Sequence, residues 1–383
     1  MFTSNSAFRF IILLGIVSLF ADITYEGARS ITGPFLAILG ANAAVMGFVA
    51  GFGELVGYAL RMVSGYFADR TQKYWTITLW GYACNLIAVP LLALANHWWV
   101  ASILIVIERM GKAIRSPARD AMLSFAAKKV GTGIGFGLNE ALDQIGAMLG
   151  PIVVSGILFF RHDYHESFLF LAIPALLAML SLWVAKHYYP NPRELEARYP
   201  ALKKEGIPKT FWFYLIGAGF VAAGFTDFPL IAYHFEKKHV LDPVWIPLVY
   251  ALSMGVTGIT APLLGRFYDH KGFIILTITT FVTCWFSLFI YLGNVPLILV
   301  GVVLWGIGMG AHESLMRAII ANMVSANKRA SAYGIFNLCY GVSWFLGSVT
   351  MGILYDISIS WLIWFSIIAQ LLAMPFLLRV AKG

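Results

Sequence analysis

The chain reads as an all-α membrane protein whose twelve spanning helices form two related halves of six. Three observations lead there. Of its 383 residues, 60% are apolar and only 12% charged, against about 25% charged in an average soluble domain. Apolar stretches of the roughly 20 residues that cross a bilayer recur along nearly the whole length. The second half also repeats landmarks of the first at near-constant spacing.

The stretches fall at about 8–38, 43–67, 75–95, 98–124, 133–160, 167–188, 210–235, 244–268, 272–292, 296–324, 331–355 and 360–380. Between the sixth and seventh, Tyr188 to Lys209 is the one long polar connection, with Pro190, Pro192, Pro200 and Pro208 among mixed charges. It reads as a linker. The expected organisation is an N-terminal six-helix bundle at 1–188, a cytoplasmic linker at 189–209 and a C-terminal six-helix bundle at 210–383.

Net charge is +8, and its distribution is more informative than its sum. With the N-terminus inside, inward loops and ends hold seventeen Lys and Arg residues, and outward loops hold three: Arg161, Lys237 and Lys238. That positive-inside bias predicts both termini in the cytoplasm of a bacterial plasma membrane. The bases are scattered over short loops and form no patch for nucleic acid. Cys84, Cys284 and Cys339 all fall inside spans, which argues against a disulfide framework. The first apolar segment carries Asp22, Glu26 and Arg29 and lacks a small-residue cleavage site, so it does not read as a removable leader. No zinc-binding histidine-glutamate-x-x-histidine helix, nucleophile elbow or Walker loop is present, which argues against an enzyme and implies no metal or cofactor.

The repeat is specific in order and depth. Gly65-Tyr66-Phe67-Ala68-Asp69 closes the second span and Gly265-Arg266-Phe267-Tyr268-Asp269 the eighth. Asp22 lies mid-way along the first span and Asp227 at a similar depth in the seventh. Gly146 and Gly150 of the fifth have a counterpart in Gly347 of the eleventh, each followed by Gly-Ile-Leu at Gly156 and Gly352. Offsets run between 196 and 205. Chance similarity between apolar helices would not preserve that order.

Gly65-Tyr66-Phe67-Ala68-Asp69-Arg70-Thr71-Gln72-Lys73 resembles the major facilitator superfamily's loop signature between helices two and three, with Gln72 where glycine is usual. Glu108-Arg109-Met110-Gly111-Lys112-Ala113-Ile114-Arg115-Ser116-Pro117-Ala118-Arg119-Asp120-Ala121 resembles the fourth helix of a bacterial subgroup. Gly146-Ala147-Met148-Leu149-Gly150-Pro151 resembles the fifth-helix motif of the proton antiporters. The resemblance implies the two-bundle major facilitator fold, with solute bound where the repeats meet near the midplane. It also implies a cytoplasmic gate of Gly65, Asp69, Arg70, Lys73 and Asp120. There Asp69 caps a facing helix, expected to be span eleven, and Arg70 or Lys73 reaches Asp120.

The charges inside the spans are the functional signal. Sixteen remain: Asp22, Glu26, Arg29, Glu54, Arg61, Glu108, Arg109, Lys112, Arg115, Arg119, Asp120, Glu140, Asp143, Asp227, Glu313 and Arg317. Unpaired in lipid they would cost on the order of 40 kcal/mol, against a typical net stability of about 5–15 kcal/mol. They must therefore be paired, hydrated or near the ends. Glu108, Lys112, Arg115 and Arg119 share one helical face, and Asp22, Glu26 and Arg29 share another. Carboxylates in such settings carry protons, so Asp22 and Glu26, then Glu108, Glu140 and Asp143, are the expected coupling residues. Arg29, Arg109, Lys112 and Arg115, with Asp227, Glu313, Arg317, Asn337 and Tyr340 from the second half, are the expected solute pocket.

The expected function is proton-coupled secondary transport of a small organic solute by alternating access, exporting by antiport. The alternatives are symport of an organic anion or zwitterion, or a facilitative or lipid transporter on the same fold. Expected partners are a small solute, protons and the bilayer, with no nucleic acid and a monomeric chain.

Overall fold

The computed structural model describes residues 4–191, 208–324 and 329–381. Most of the expected linker, and Arg317's side chain, lie outside the described residues and side chains. Among the described residues there is no strand. The helices are α1 (Ser4–Ile38), α2 (Ala43–Thr71), α3 (Tyr74–Leu91), α4 (Trp98–Val130), α5 (Thr132–Arg161), α6 (Tyr164–Phe170) and α7 (Ala172–Tyr188). After the linker come α8 (Lys209–Gly224), α9 (Phe228–Lys237), α10 (Trp245–Lys271), α11 (Ile274–Thr283), α12 (Phe286–Leu292), α13 (Val295–Met323), α14 (Arg329–Ile357) and α15 (Ile359–Ala381).

Eleven spans among the described residues are long and apolar enough to cross a membrane. The twelfth is α4, 33 residues long. It fails the composition test because it carries the charged run from Glu108 to Asp120. Three spans are jointed: α6–α7, α8–α9 and α11–α12 each form one crossing.

The sharpest joint is at Phe225-Thr226-Asp227, inside what the sequence pattern reads as one continuous span. Pro229 follows at the start of α9, where its missing N–H is not needed. Carbonyls freed by the break find donors, as they must in an apolar surround. Ser366 Oγ and Gln370 Nε2 donate to the Gly224 carbonyl at 2.7 and 3.1 Å, and Trp305 Nε1 to that of Thr226 at 2.9 Å.

The helices divide into two compact units: Met1–Ile31 with Val56–Pro200, and Thr32–Leu55 with Ala201–Gly383. In the first, α3 and α4 make the closest pairing because both present glycine. A Cβ on Gly81 would stand 2.6–2.9 Å from the backbone and Cβ of Arg115, and one on Gly111 2.7 Å from the Gly81 carbonyl oxygen. Gly146 and Gly150 bring α5 onto the Leu19 and Ile23 carbonyls of α1. An apolar core of Phe10, Trp75, Tyr82, Met122, Phe125 and Leu182 fills one end, closed by the Trp75 indole donating to the Tyr189 carbonyl at 2.9 Å.

In the second unit Gly347 packs α14 on the Ala223 carbonyl of α8, the same device as Gly146. Gly306 and Gly310 seat α13 on α10. This unit also holds the end of α1 and the first half of α2. Gly33 abuts the Pro229 carbonyl, Gly47 and Gly51 abut Ser348 and Phe345, and Tyr233 Oη donates to the Ala41 carbonyl at 3.1 Å. The Asp356 carboxylate accepts from the first two α2 amides, Ala43 N at 3.1 Å and Ala44 N at 2.9 Å. A foreign carboxylate thus caps that helix and meets the positive end of its dipole.

Candidate functional site

The charged face of α4 looks into the first unit, between α1, α3 and α5. Its side chains meet groups on all three helices. Glu108 turns toward α3, where Asn85 Nδ2 donates to its carboxylate at 2.6 Å and to its carbonyl at 3.1 Å; Arg109 adds an ion pair at 3.4 Å. One turn on, Lys112 reaches α1, 3.7 Å from Glu26 Oε1 and 3.9 Å above the Tyr25 ring. Arg115 lies between two aromatic rings, 4.2 Å from Tyr82 and 5.7 Å from Tyr25. Arg119 donates to Ser18 Oγ at 2.9 Å, pairs with Asp120 at 2.9 Å, and stands 3.9 Å from Asp143 of α5.

Asp22 is at the centre. It is buried, and Asp143, Lys112, Arg115 and Glu26 are all close enough to act on it electrostatically. Among the described residues it makes no hydrogen bond or ion pair. Asp143 is half-buried and accepts from Asn139 Nδ2 at 3.1 Å. Arg29 is buried on α1 and acts on Glu108. Glu140 is exposed and bonds to Gln144 at 3.4 Å, and it reaches the network electrostatically, through Asp143. In low dielectric these charges act on one another strongly.

Of the residues expected from the second half, Asp227 and Tyr340 sit in an aromatic cluster. Asp227 is buried at the α8–α9 joint, and Trp344 Nε1 donates to its carboxylate at 2.8 Å. Phe225 stacks obliquely on His312 with centroids 4.4 Å apart, and His312 Nδ1 meets Tyr340 Oη at 3.0 Å. Glu313 and Asn337 are half-buried on α13 and α14.

The family model for the Major Facilitator Superfamily matches residues 12–348 and 270–382. The chain belongs to the Major Facilitator Superfamily. An uncharacterised protein of Mycobacterium tuberculosis is 39% identical over 388 residues, covering 98% of this chain and 94% of that one. An uncharacterised MFS-type transporter of Methanocaldococcus jannaschii is 28% identical over 356 residues, covering 90% and 88%. Among solved structures, a POT family transporter matches with a TM-score of 0.77 at 14% identity, covering 97% of this chain and 95% of that one. The protein is accordingly a multi-pass membrane transporter of small solutes and not an enzyme.

The superfamily loop signature differs in detail from the sequence expectation. Gln72, standing where glycine is usual, adopts the left-handed backbone that glycine favours, with φ +60°. Its side chain compensates by donating to the Asp69 carbonyl at 2.5 Å. Asp120 takes Arg119 as partner, while Arg70 Nη1 contacts Tyr66 Oη at 3.4 Å. Gly65 faces the Pro117 ring of α4, and Lys73 precedes α3. The end of span eleven expected to meet Asp69 adjoins residues 325–328, outside the described residues.

Sequence reasoning missed the uncharged members of the network: Tyr25, Tyr82, Asn85, Ser18 and Asn139. A search for charges passes over them. The available signal was helical phase: Ser18 and Tyr25 flank Asp22 at four and three residues, on or near its face.

Proposed function

We propose that the protein couples solute movement to protons, with Asp22, Glu26 and Asp143 as the proton-carrying carboxylates. One observation carries this reading: those three acids are gathered with Lys112, Arg115 and Arg119 inside a membrane-spanning bundle. A purely structural glue would pair its charges, whereas Asp22 stands among opposite charges with no direct bond to any. One proton entering down about 100 mV releases roughly 2.3 kcal/mol, enough for about a fifty-fold solute gradient. A one-proton cycle therefore suffices.

The sense of coupling follows from two different features. The glycine-proline run at Gly146, Gly150 and Pro151 supports export by antiport. The excess of bases on α4 supports the second reading, symport of an organic anion or zwitterion. The chain works as a monomer in a bacterial plasma membrane, and the distribution of loop charge supports placing both termini in the cytoplasm. Its halves of six helices flank the linker at 189–209.

The test is flux in proteoliposomes with a trapped pH-sensitive dye. Solute added under an imposed pH gradient moves protons the opposite way in antiport and the same way in symport. Solute flux with no proton movement of either sign would refute coupling and leave a facilitative transporter.

A further inference from the structure

The network holds unfilled donors and unfilled acceptors side by side. Arg115 is only 1% exposed. Its Cζ lies 4.2 Å from the Tyr82 ring centroid and 5.7 Å from that of Tyr25, yet Nε and Nη1 are buried with no hydrogen-bond partner. Buried charged N–H groups in folded proteins are almost always bonded. On α5, Asn139 Oδ1 and Asp143 Oδ1, one helical turn apart, are likewise buried acceptors without a donor. Asp22 on α1 adds a carboxylate with no direct partner, and Arg115 acts electrostatically on both acids. The protein's own groups leave these two sets unmatched because Arg119 and its partners Ser18 and Asp120 stand beside Asp143.

We propose that this cluster seats a zwitterion bearing both a carboxylate and an ammonium, an amino-acid-type solute. Nε and Nη1 lie on different edges of the planar guanidinium, each beside Nη2, and either edge, Nε with Nη2 or Nη1 with Nη2, matches the two oxygens of a carboxylate. An ammonium supplies three donors and takes up Asp143 Oδ1, Asn139 Oδ1 and Asp22. A simple anion would satisfy Arg115 and leave the acceptors unmet, and a simple cation would do the reverse. Lys112, one turn before Arg115 with its side chain 21% exposed, marks the open side of the cluster. The inference rests on the transport reading and deepens it. Ammonium and proton then compete for the same carboxylates, flanked by Arg119, Arg115 and Lys112 on α4, Glu26 on α1 and Glu140 on α5. Such competition is what exchange of one for the other requires.

The experiment uses the full-length purified protein and a panel of the protein amino acids plus 4-aminobutyrate, read by thermal shift and titration calorimetry. The best-binding zwitterion is then compared with its carboxamide and its deaminated analogue. At least one zwitterion should bind saturably, and each analogue should bind at least tenfold more weakly. Arg115→Lys, which keeps the charge but loses the planar fork, should also weaken binding at least tenfold, while Glu166→Gln, half-buried on α6 beside Arg161, leaves it unchanged. The analogue comparison needs only the wild-type chain, so it decides the matter even if Arg115 variants fail to fold. No binding by any zwitterion, or equal binding of an analogue, overturns the proposal. A zwitterion that binds as described but moves no protons upholds the site and refutes the coupling reading. A different solute carried with protons, while zwitterions neither bind nor compete, sinks this inference alone.

Discussion

Gly111→Ala tests whether the α3–α4 seam sets the network's geometry. A Cβ there would stand 2.7 Å from the Gly81 carbonyl oxygen and 2.8 Å from Asn85 Cα, where ordinary contact is 3.4–4 Å. All three obstacles are backbone, the still closer Asn85 amide nitrogen among them, so the helices must part by roughly 1 Å, and overpacking of this kind costs about 1–3 kcal/mol. Opposing it, alanine gains about 1 kcal/mol over glycine in a helix interior. Because neither side can swing away, the upper end applies, and the net should be about 2 kcal/mol destabilising. The same parting shifts Asn85, the donor to Glu108. Gly156→Ala is the control: on α5, with nothing within 4 Å of its Cβ, it should stabilise by about 0.5–1 kcal/mol. Thermal unfolding in detergent, followed by tryptophan fluorescence, compares the two. If both variants shift the midpoint upward, the seam is looser than described and the reasoning fails.

Three further outcomes are expected. Asp22→Asn should abolish solute accumulation driven by a pH gradient in proteoliposomes while solute counterflow persists in part; full proton-driven uptake would remove Asp22 from the coupling role. Asp356→Ala removes the cap on α2, worth about 0.5–2 kcal/mol, so a cysteine placed at Ala41 should react with maleimide about 2–30 times faster than in the Asp356 parent, and an unchanged rate would show that the cap holds nothing shut. Gln72→Gly relieves a left-handed backbone that costs a non-glycine residue roughly 1–2 kcal/mol; with loss of one exposed side-chain bond set against it, the unfolding midpoint should rise, and a fall would mean that bond outweighs the strain.

Spanning segments were legible because an apolar run of bilayer length has few other readings. Fold class and repeat followed from them, and α4 stood out through its charges. The joint at Phe225–Asp227 was not legible as a break. Pro229 hinted at it, but the groups that make it tolerable, Ser366, Gln370 and Trp305, arrive from 79 to 146 residues away. For the candidate site, helical phase placed Lys112 and Arg115 on the right face. It carried no information about which neighbour each would meet. Glu108 met neutral Asn85, and Asp120 its own neighbour Arg119.

The hairpin at Thr32–Leu55 is joined by peptide bonds to one unit and packed into the other. Two continuous helices, α1 and α2, therefore change allegiance part-way along their lengths. The rods cross that boundary near Ile31 and Leu55, and the hairpin is held to its own unit by Asp356, Tyr233 and the glycine seats. Gly33 and Pro34 lie just past the first of those points, where a rod would fold most readily. A substitution in the hairpin would therefore be felt first by α9 and α14, the helices it rests on, although it is continuous in sequence with the first two spans.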